Sequence, residues 1–370
     1  MTPKSLRRLL STLLVAFGLA GSATAQAAEN VFLVTADGLR WQEVFRGAEN
    51  ISWDKAFANG GNSNAIRRDF LRDTPEASRA ALMPFLWGTV AQKGQVWGNR
   101  DKGSEIRVTN GRNFSYPGYN EFLTGKPDPR IDSNDKVLNP NTNVFEWLIG
   151  RPDFAGRVAA VVNWDALPWI LNAPRSRIPV WSGFNVPDGT ERLPVPSALT
   201  EIVDRGRHLW TEELLDTYVA FAAKHTLRNS RPRAFYVAFG ETDDWAHEGH
   251  YERYLRAIRL FDRFLEELWG LAQSMPEYRG KTTLLVAVDH GRGPTPVAWK
   301  GHGKEIPDSA YIWFAGMGPG IAPLGERTNT PPAVQAQVAA TVAAALGEDF
   351  AGAHPGVQPP LPVFDSATKP

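Results

Sequence analysis

Five short apolar runs punctuate the chain: VFLVTA (31–36), RVAAVVN (157–163), AFYVAF (234–239), TLLVAV (283–288) and YIWFA (311–315). They are nearly continuous rather than alternating, which predicts strands buried on both faces, as in a parallel sheet. Helical periodicity fills the gaps and predicts helices over 79–94, 143–150, 211–225, 251–275 and 333–346. In the fourth, Tyr251, Leu255, Ile258, Phe261, Leu265, Leu268 and Leu271 recur every three or four residues and form one apolar stripe. Alternating strands and helices predict an α/β fold with a mostly parallel central sheet and helices on both faces. Residues 164–210 break the pattern. They carry Trp164, Trp169, Trp181 and Trp210 among many prolines, and read either as an inserted cap beside the sheet or as a long packed loop with core tryptophans.

Composition adds little to that outline and excludes several alternatives. At 43% hydrophobic and 22% charged residues, the chain is globular rather than disordered. Residues 1–27 read as a secretory signal peptide: Lys4, Arg7 and Arg8 precede a short apolar core, Leu9 to Ala20, and small-residue cleavage sites. That core is too short for a stable membrane span, so residues 28–370 are expected as one exported domain. Basic and acidic residues number 40 each, and loss of the leader tips the balance slightly acidic. No general attraction to nucleic acid follows. The chain has no cysteine, so disulfides cannot stabilise it after export. Together these features suit a bacterial periplasm.

In doubly wound sheets, ligands gather where strands end at their carboxyl edge. Three of the runs deliver acids or imidazoles there: Asp37 after the first, Asp243 and His247 after the third, Asp289 and His290 after the fourth. A fourth stretch, WKGHGKE, adds His302 between two glycines. An Asp after a strand is by itself most often a helix cap; four such stretches together point to metal. Carboxylate and imidazole ligands suit Zn²⁺ or a similar ion. Asp243 and His247, four apart, share one face if a helical turn forms. Asp289 and His290 can both face one ion only if the strand has ended, and Gly291 and Gly293 supply freedom to turn. In NFSYPGYNEFLTG (113–125), YNEFLTG predicts a short helix closed by Gly125. The residues alone leave Ser115 open as an N-cap or as a nucleophile at a helix N-terminus.

These residues resemble the alkaline phosphatase superfamily of two-metal hydrolases, over most of the chain from Asp37 to His302. In its phosphodiesterase branch a strand is followed by Asp-Gly, as in TADG here. Its nucleophile motif is similar to Ser115-Tyr116-Pro117, with Gly125 eight residues after the proline. The resemblance implies Ser115 as nucleophile. It implies one metal held by Asp37, Ser115, Asp289 and His290, and another held by Asp243, His247 and His302. Two divalent ions, Zn²⁺ or Mn²⁺, are the implied cofactors. Phosphodiesterases of this kind often use an asparagine on the substrate oxygen, and Asn134, Asn139, Asn141 and Asn143 compete for that role. Arg292 is expected to pair with a surface acid rather than bind phosphate; Lys300 stays undecided. Asp244 is expected to cap or support the site, and His250 to lie exposed on the next helix.

The reading that follows is an exported hydrolase of phosphoric esters, with a small-molecule phosphate ester as partner and a covalent phospho-serine intermediate. Sulfuric esters are the alternative, although the sulfatase motif requires Arg where Tyr119 stands. A phosphomutase fits less well with the leader and the limited insert. A non-catalytic metal-binding protein fits poorly with seven intact ligand positions. No later stretch is apolar enough to span a membrane, and oligomeric state is not legible.

Overall fold

The computed structural model describes residues 27–49 and 63–365; the expected leader lies outside them, except for Ala27. Eleven strands occur among the described residues. In chain order they are β1 (Asn30–Ala36), β2 (Gly94–Trp97), β3 (Ile106–Arg107), β4 (Val158–Val162), β5 (Val180–Trp181) and β6 (Ala234–Phe239). Then follow β7 (Thr282–Ala287), β8 (Tyr311–Ile312), β9 (Phe314–Met317), β10 (Gly325–Glu326) and β11 (Ala333–Val334). Eight form the central sheet in the order β10-β2-β9-β7-β1-β6-β4-β5, and a small sheet runs β11-β3-β8. Every neighbouring pair of the large sheet is parallel except those made by β9, which runs antiparallel to β2 and β7.

Every residue of β1, β4, β6 and β7 is buried. That is why their sequences do not alternate: helices cover both faces. Tyr236 and Phe239 lie three apart on β6 and so point to opposite faces. Tyr236 meets Phe122 and Phe145 of helices Ser115–Thr124 and Val144–Ile149. Phe239 meets Phe261 and Phe264 of helix Tyr251–Ser274. The stripe read on that long helix is buried, with Leu271 at its margin, and Tyr254 and Phe264 widen it.

Several element boundaries differ from expectation: the run at 311–315 is split between β8 in the small sheet and β9, which is antiparallel to its neighbours in the large one. The pattern over 79–94 is three pieces, Pro75–Leu82, a wide turn at Leu86–Val90 and Ala91–Lys93. Pro84 interrupts it by disfavouring helical geometry at Met83, and Asp262 accepts the N–H groups of Phe85 and Leu86 where the second piece begins. The helix expected from 211 starts at Asp216, because Glu213 is bridged to Trp164 in extended form. The helix expected from 333 starts at Gln337, since Ala333–Val334 pairs with Ile106–Arg107. Within 164–210, β5 adds the edge strand beside β4, and Trp164 and Trp181 are buried.

Candidate metal centre

β1 lies between β7 and β6, and all three are parallel. Their carboxyl ends therefore open on one edge, side by side. Asp37 follows β1 directly, helix Glu241–His247 starts two residues after β6, and Asp289 comes two residues after β7. Local bonds hold each turn. Asp37 N–H donates to the Phe239 carbonyl, Gly38 N–H to Asp289 Oδ1 at 3.0 Å, and Thr242 Oγ1 to the Asp37 carbonyl. Gly38 has φ +57°, and a methyl group there would lie 2.6 Å from Asp243 Oδ1, 2.9 Å from Arg292 Nε and 3.1 Å from His290 Cε1. Gly291 serves close approach rather than the freedom expected of it: a Cβ there would stand 2.3 Å from the Tyr311 carbonyl.

Two ligand clusters result, Asp37–Asp289–His290 and Asp243–His247–His302. In the first, His290 Nε2 lies 3.3 Å from Asp37 Oδ1 and 3.2 Å from Asp289 Oδ2. All three residues are buried. In the second, one helical turn brings His247 Nε2 to 3.0 Å from Asp243 Oδ2, and His302 Nε2 to 2.9 Å from His247 Nε2. The His290 and His302 rings stack at 3.8 Å, so the clusters adjoin. His290 Nδ1 faces the Gly291 carbonyl at 2.9 Å and His302 Nδ1 faces the Asn113 carbonyl at 3.1 Å. A carbonyl only accepts, so Nδ1 carries the proton and Nε2 presents a free lone pair.

Electrostatics favour a cation here. Burial, reinforced by the Asp243 carboxylate, holds Asp37 well above the usual carboxylate range. Burial and the Asp37 carboxylate do the same to Asp289. Burial would also raise Asp243, but the Arg292 guanidinium and His247 hold it well below the usual range. Burial and His290 lower His302. Asp37 Oδ1 and Asp289 Oδ2 are buried without a hydrogen bond. Orphaned carboxylate oxygens beside free imidazole nitrogens fit divalent ions of the zinc class.

Ser115 is the first residue of helix Ser115–Thr124, which Gly125 closes in a left-handed conformation. The helix thus begins four residues earlier than YNEFLTG predicted. Phe114, not Ser115, holds the N-cap position, so the plain capping alternative fails. Ser115 is buried and its Oγ lies 3.4 Å from His290 Nε2, at the first cluster.

Of the four asparagines, only Asn134 reaches the Ser115 segment, accepting from Tyr116 N–H at 2.9 Å. Asn139 and Asn141 are spent on a network with Asn120, and Asn143 caps helix Val144–Ile149. Arg292 corrects the expectation of a surface pairing: it is buried and its partner is Asp243 itself. Lys300 offers its carbonyl to Arg292 Nη1 at 2.7 Å. His250 precedes the long helix and faces Glu248, outside both clusters. Glu241 joins strand end to helix, accepting from Asp216 N–H and Trp245 Nε1.

Sequence reading missed Glu213. It accepts from Asn163 at 2.9 Å and lies beside Asp244, whose carboxyl burial pushes up to about 7. Glu213 is 30 residues before Asp243 in a stretch that reads as helix, so no motif marked it. A cleft of about 370 Å³, lined by Trp210, Glu213 and Asp244 among others, opens beside this pair.

The fold defined by this sheet and edge is alkaline phosphatase-like. TAB5 alkaline phosphatase superposes with TM-score 0.52 at 11% identity, over 88% of this chain and 99% of that one. The lipoteichoic acid synthase LtaP from Listeria monocytogenes superposes with TM-score 0.51 at 12% identity, over 93% and 76%. Ps i-CgsB, solved in complex with k-i-k-neocarrahexaose, gives TM-score 0.50 at 12% identity, over 90% and 75%. No family model matches the chain, and no curated protein matches it in sequence.

Proposed function

We propose that the protein is an exported hydrolase of phosphoric esters, acting on diesters through Ser115. The observation that carries this reading is Ser115 Oγ at 3.4 Å from His290 Nε2, on a helix N-terminus beside two carboxylate–imidazole clusters. Asp37, Ser115, Asp289 and His290 would hold one divalent ion, and Asp243, His247 and His302 a second. Bound there, the ions would supply the Lewis acidity that makes a serine nucleophilic at neutral pH and stabilises a leaving oxygen.

The chain's own residues supply the remainder. Ser115 Oγ gives up its proton and attacks phosphorus, the bond to the leaving alkoxide breaks and the alkoxide takes a proton from water, and the remaining phosphoester rests on serine until water attacks phosphorus and expels Ser115 Oγ. Ser115 sits at the positive end of helix Ser115–Thr124, which favours an anionic substrate there, while the Tyr116 N–H of that turn is taken by Asn134 Oδ1. Arg292, the cation in the site, is committed to Asp243. A substrate with one negative charge therefore fits better than a monoester dianion.

Zinc-loaded protein assayed with an aryl phosphodiester, the matching monoester and an aryl sulfate tests the assignment. The diester should turn over fastest, and Ser115→Ala should abolish turnover while retaining bound zinc. Turnover confined to the sulfate would replace the phosphoric-ester reading with the sulfuric-ester one, and full activity in Ser115→Ala would remove the nucleophile.

A further inference from the structure

We infer that Arg292 is a positioning residue that sets Asp243 for its ion and fixes the spacing between the two ligand clusters. The inference rests on the two-ion reading above. Arg292 is 1% exposed, and its guanidinium spans three separate chain segments. By sequence it follows His290 and Gly291, so it moves with the first cluster. Its Nη2 donates to Asp243 Oδ1 and, at 3.1 Å, to the Asp243 carbonyl, gripping both ends of that residue in helix Glu241–His247. Its Nη1 donates to the Lys300 carbonyl at 2.7 Å, two residues before His302. The three ligands of the second cluster come from two segments far apart in sequence, and this side chain joins both.

The grip also partitions the carboxylate. Oδ1 is taken by Arg292, whereas Oδ2 faces His247 at 3.0 Å. One oxygen is thereby reserved for the ion, and its direction is set before the ion arrives. A planar fork can hold three acceptors at once; a lysine ammonium keeps the charge but not the planar fork. The backbone supports the arrangement from behind. Gly293 N–H donates to the Gly301 carbonyl at 3.1 Å, and the buried Arg40 guanidinium donates to the Gly293 carbonyl at 3.0 Å. Gly38 leaves the space against which Arg292 Nε lies.

Arg292→Lys and Arg292→Met, titrated with Zn²⁺ against a competing chelator, test this. Loss of a residue that orients a ligand costs roughly 10–100-fold in metal affinity. One of the two zinc equivalents should weaken by that factor in both variants, and the other should keep its wild-type affinity. Cobalt substitution should show the same selectivity in its visible bands. Unchanged affinity of both ions in Arg292→Lys would overturn the inference, as would equal loss of both. If wild-type protein takes up no zinc, the two-ion reading falls first. The grip is then tested in metal-free protein by combining Arg292→Met with Asp243→Asn. Each breaks the same pair, so the double variant should lower the melting temperature by less than the sum of the singles; additive shifts would refute it.

Discussion

Replacing Gly38 by alanine probes the site with one methyl group. Two costs apply, and the structure separates them. The first is backbone: φ is +57°, and an L-residue with a Cβ pays about 1–2 kcal/mol in that region. The second is crowding, with Asp243 Oδ1 at 2.6 Å, Arg292 Nε at 2.9 Å and His290 Cε1 at 3.1 Å from the new carbon. All three are shorter than ordinary contact, and overpacking a buried site costs about 1–3 kcal/mol. Gly156 supplies the control: φ is +69° and nothing lies within 4 Å of its added Cβ, so Gly156→Ala carries the first cost alone. Urea unfolding of the metal-free variants should place Gly38→Ala about 1–3 kcal/mol below Gly156→Ala. Because the groups pushed aside include ligands of both clusters, Gly38→Ala should also weaken zinc binding, and Gly156→Ala should not. Equal stabilities together with unchanged zinc affinity in Gly38→Ala would refute the packing described for this edge.

Two further outcomes follow from other parts of the molecule. His302→Ala should release one of two zinc equivalents on dialysis, whereas His250→Ala should release none; elemental analysis giving the reverse would show that the ligand register is wrong. Glu326 receives Arg79 at 2.8 Å and 3.0 Å, Lys102 at 2.8 Å and Asn99 at 2.6 Å, and despite its partial burial these partners lower its pKa from 4.5 to about 2. A depressed carboxyl contributes stability above about pH 4.5 that is lost as pH falls through about 2. The full shift would correspond to about 3 kcal/mol, which solvent screening reduces to about 1–2 kcal/mol. Unfolding of Glu326→Gln at pH 7 and pH 2 should show that gap at pH 7 and little at pH 2; a gap independent of pH would refute the linkage.

What was legible in the sequence follows from how far apart the determinants lie. The core strands were readable because strands covered on both faces need apolar residues at every position, and a helix packed on one face needs a stripe. Five candidate ligands, Asp37, Asp243, His247, Asp289 and His290, were readable because they follow a strand end, with Asp243 and His247 tied by one helical turn, whereas His302 was marked only by its flanking glycines. Short edge strands such as β5 and β10, with two residues each, carry too little pattern to see. Glu213 and Arg292 were obscure for a different reason. Their roles come from partners 31 and 49 residues away in the chain, Asp244 and Asp243. A guanidinium after a glycine is ordinary on a surface; that this one is buried depends on Gly38 leaving it room and on Asp243 meeting it from another strand end. Arg292 therefore makes the edge a single unit rather than two clusters that happen to adjoin, because displacing it disturbs Asp243 and the segment carrying His302 together. Motif reading identifies ligands one at a time, whereas the cation that sets their mutual distance emerges only once the three strand ends stand side by side.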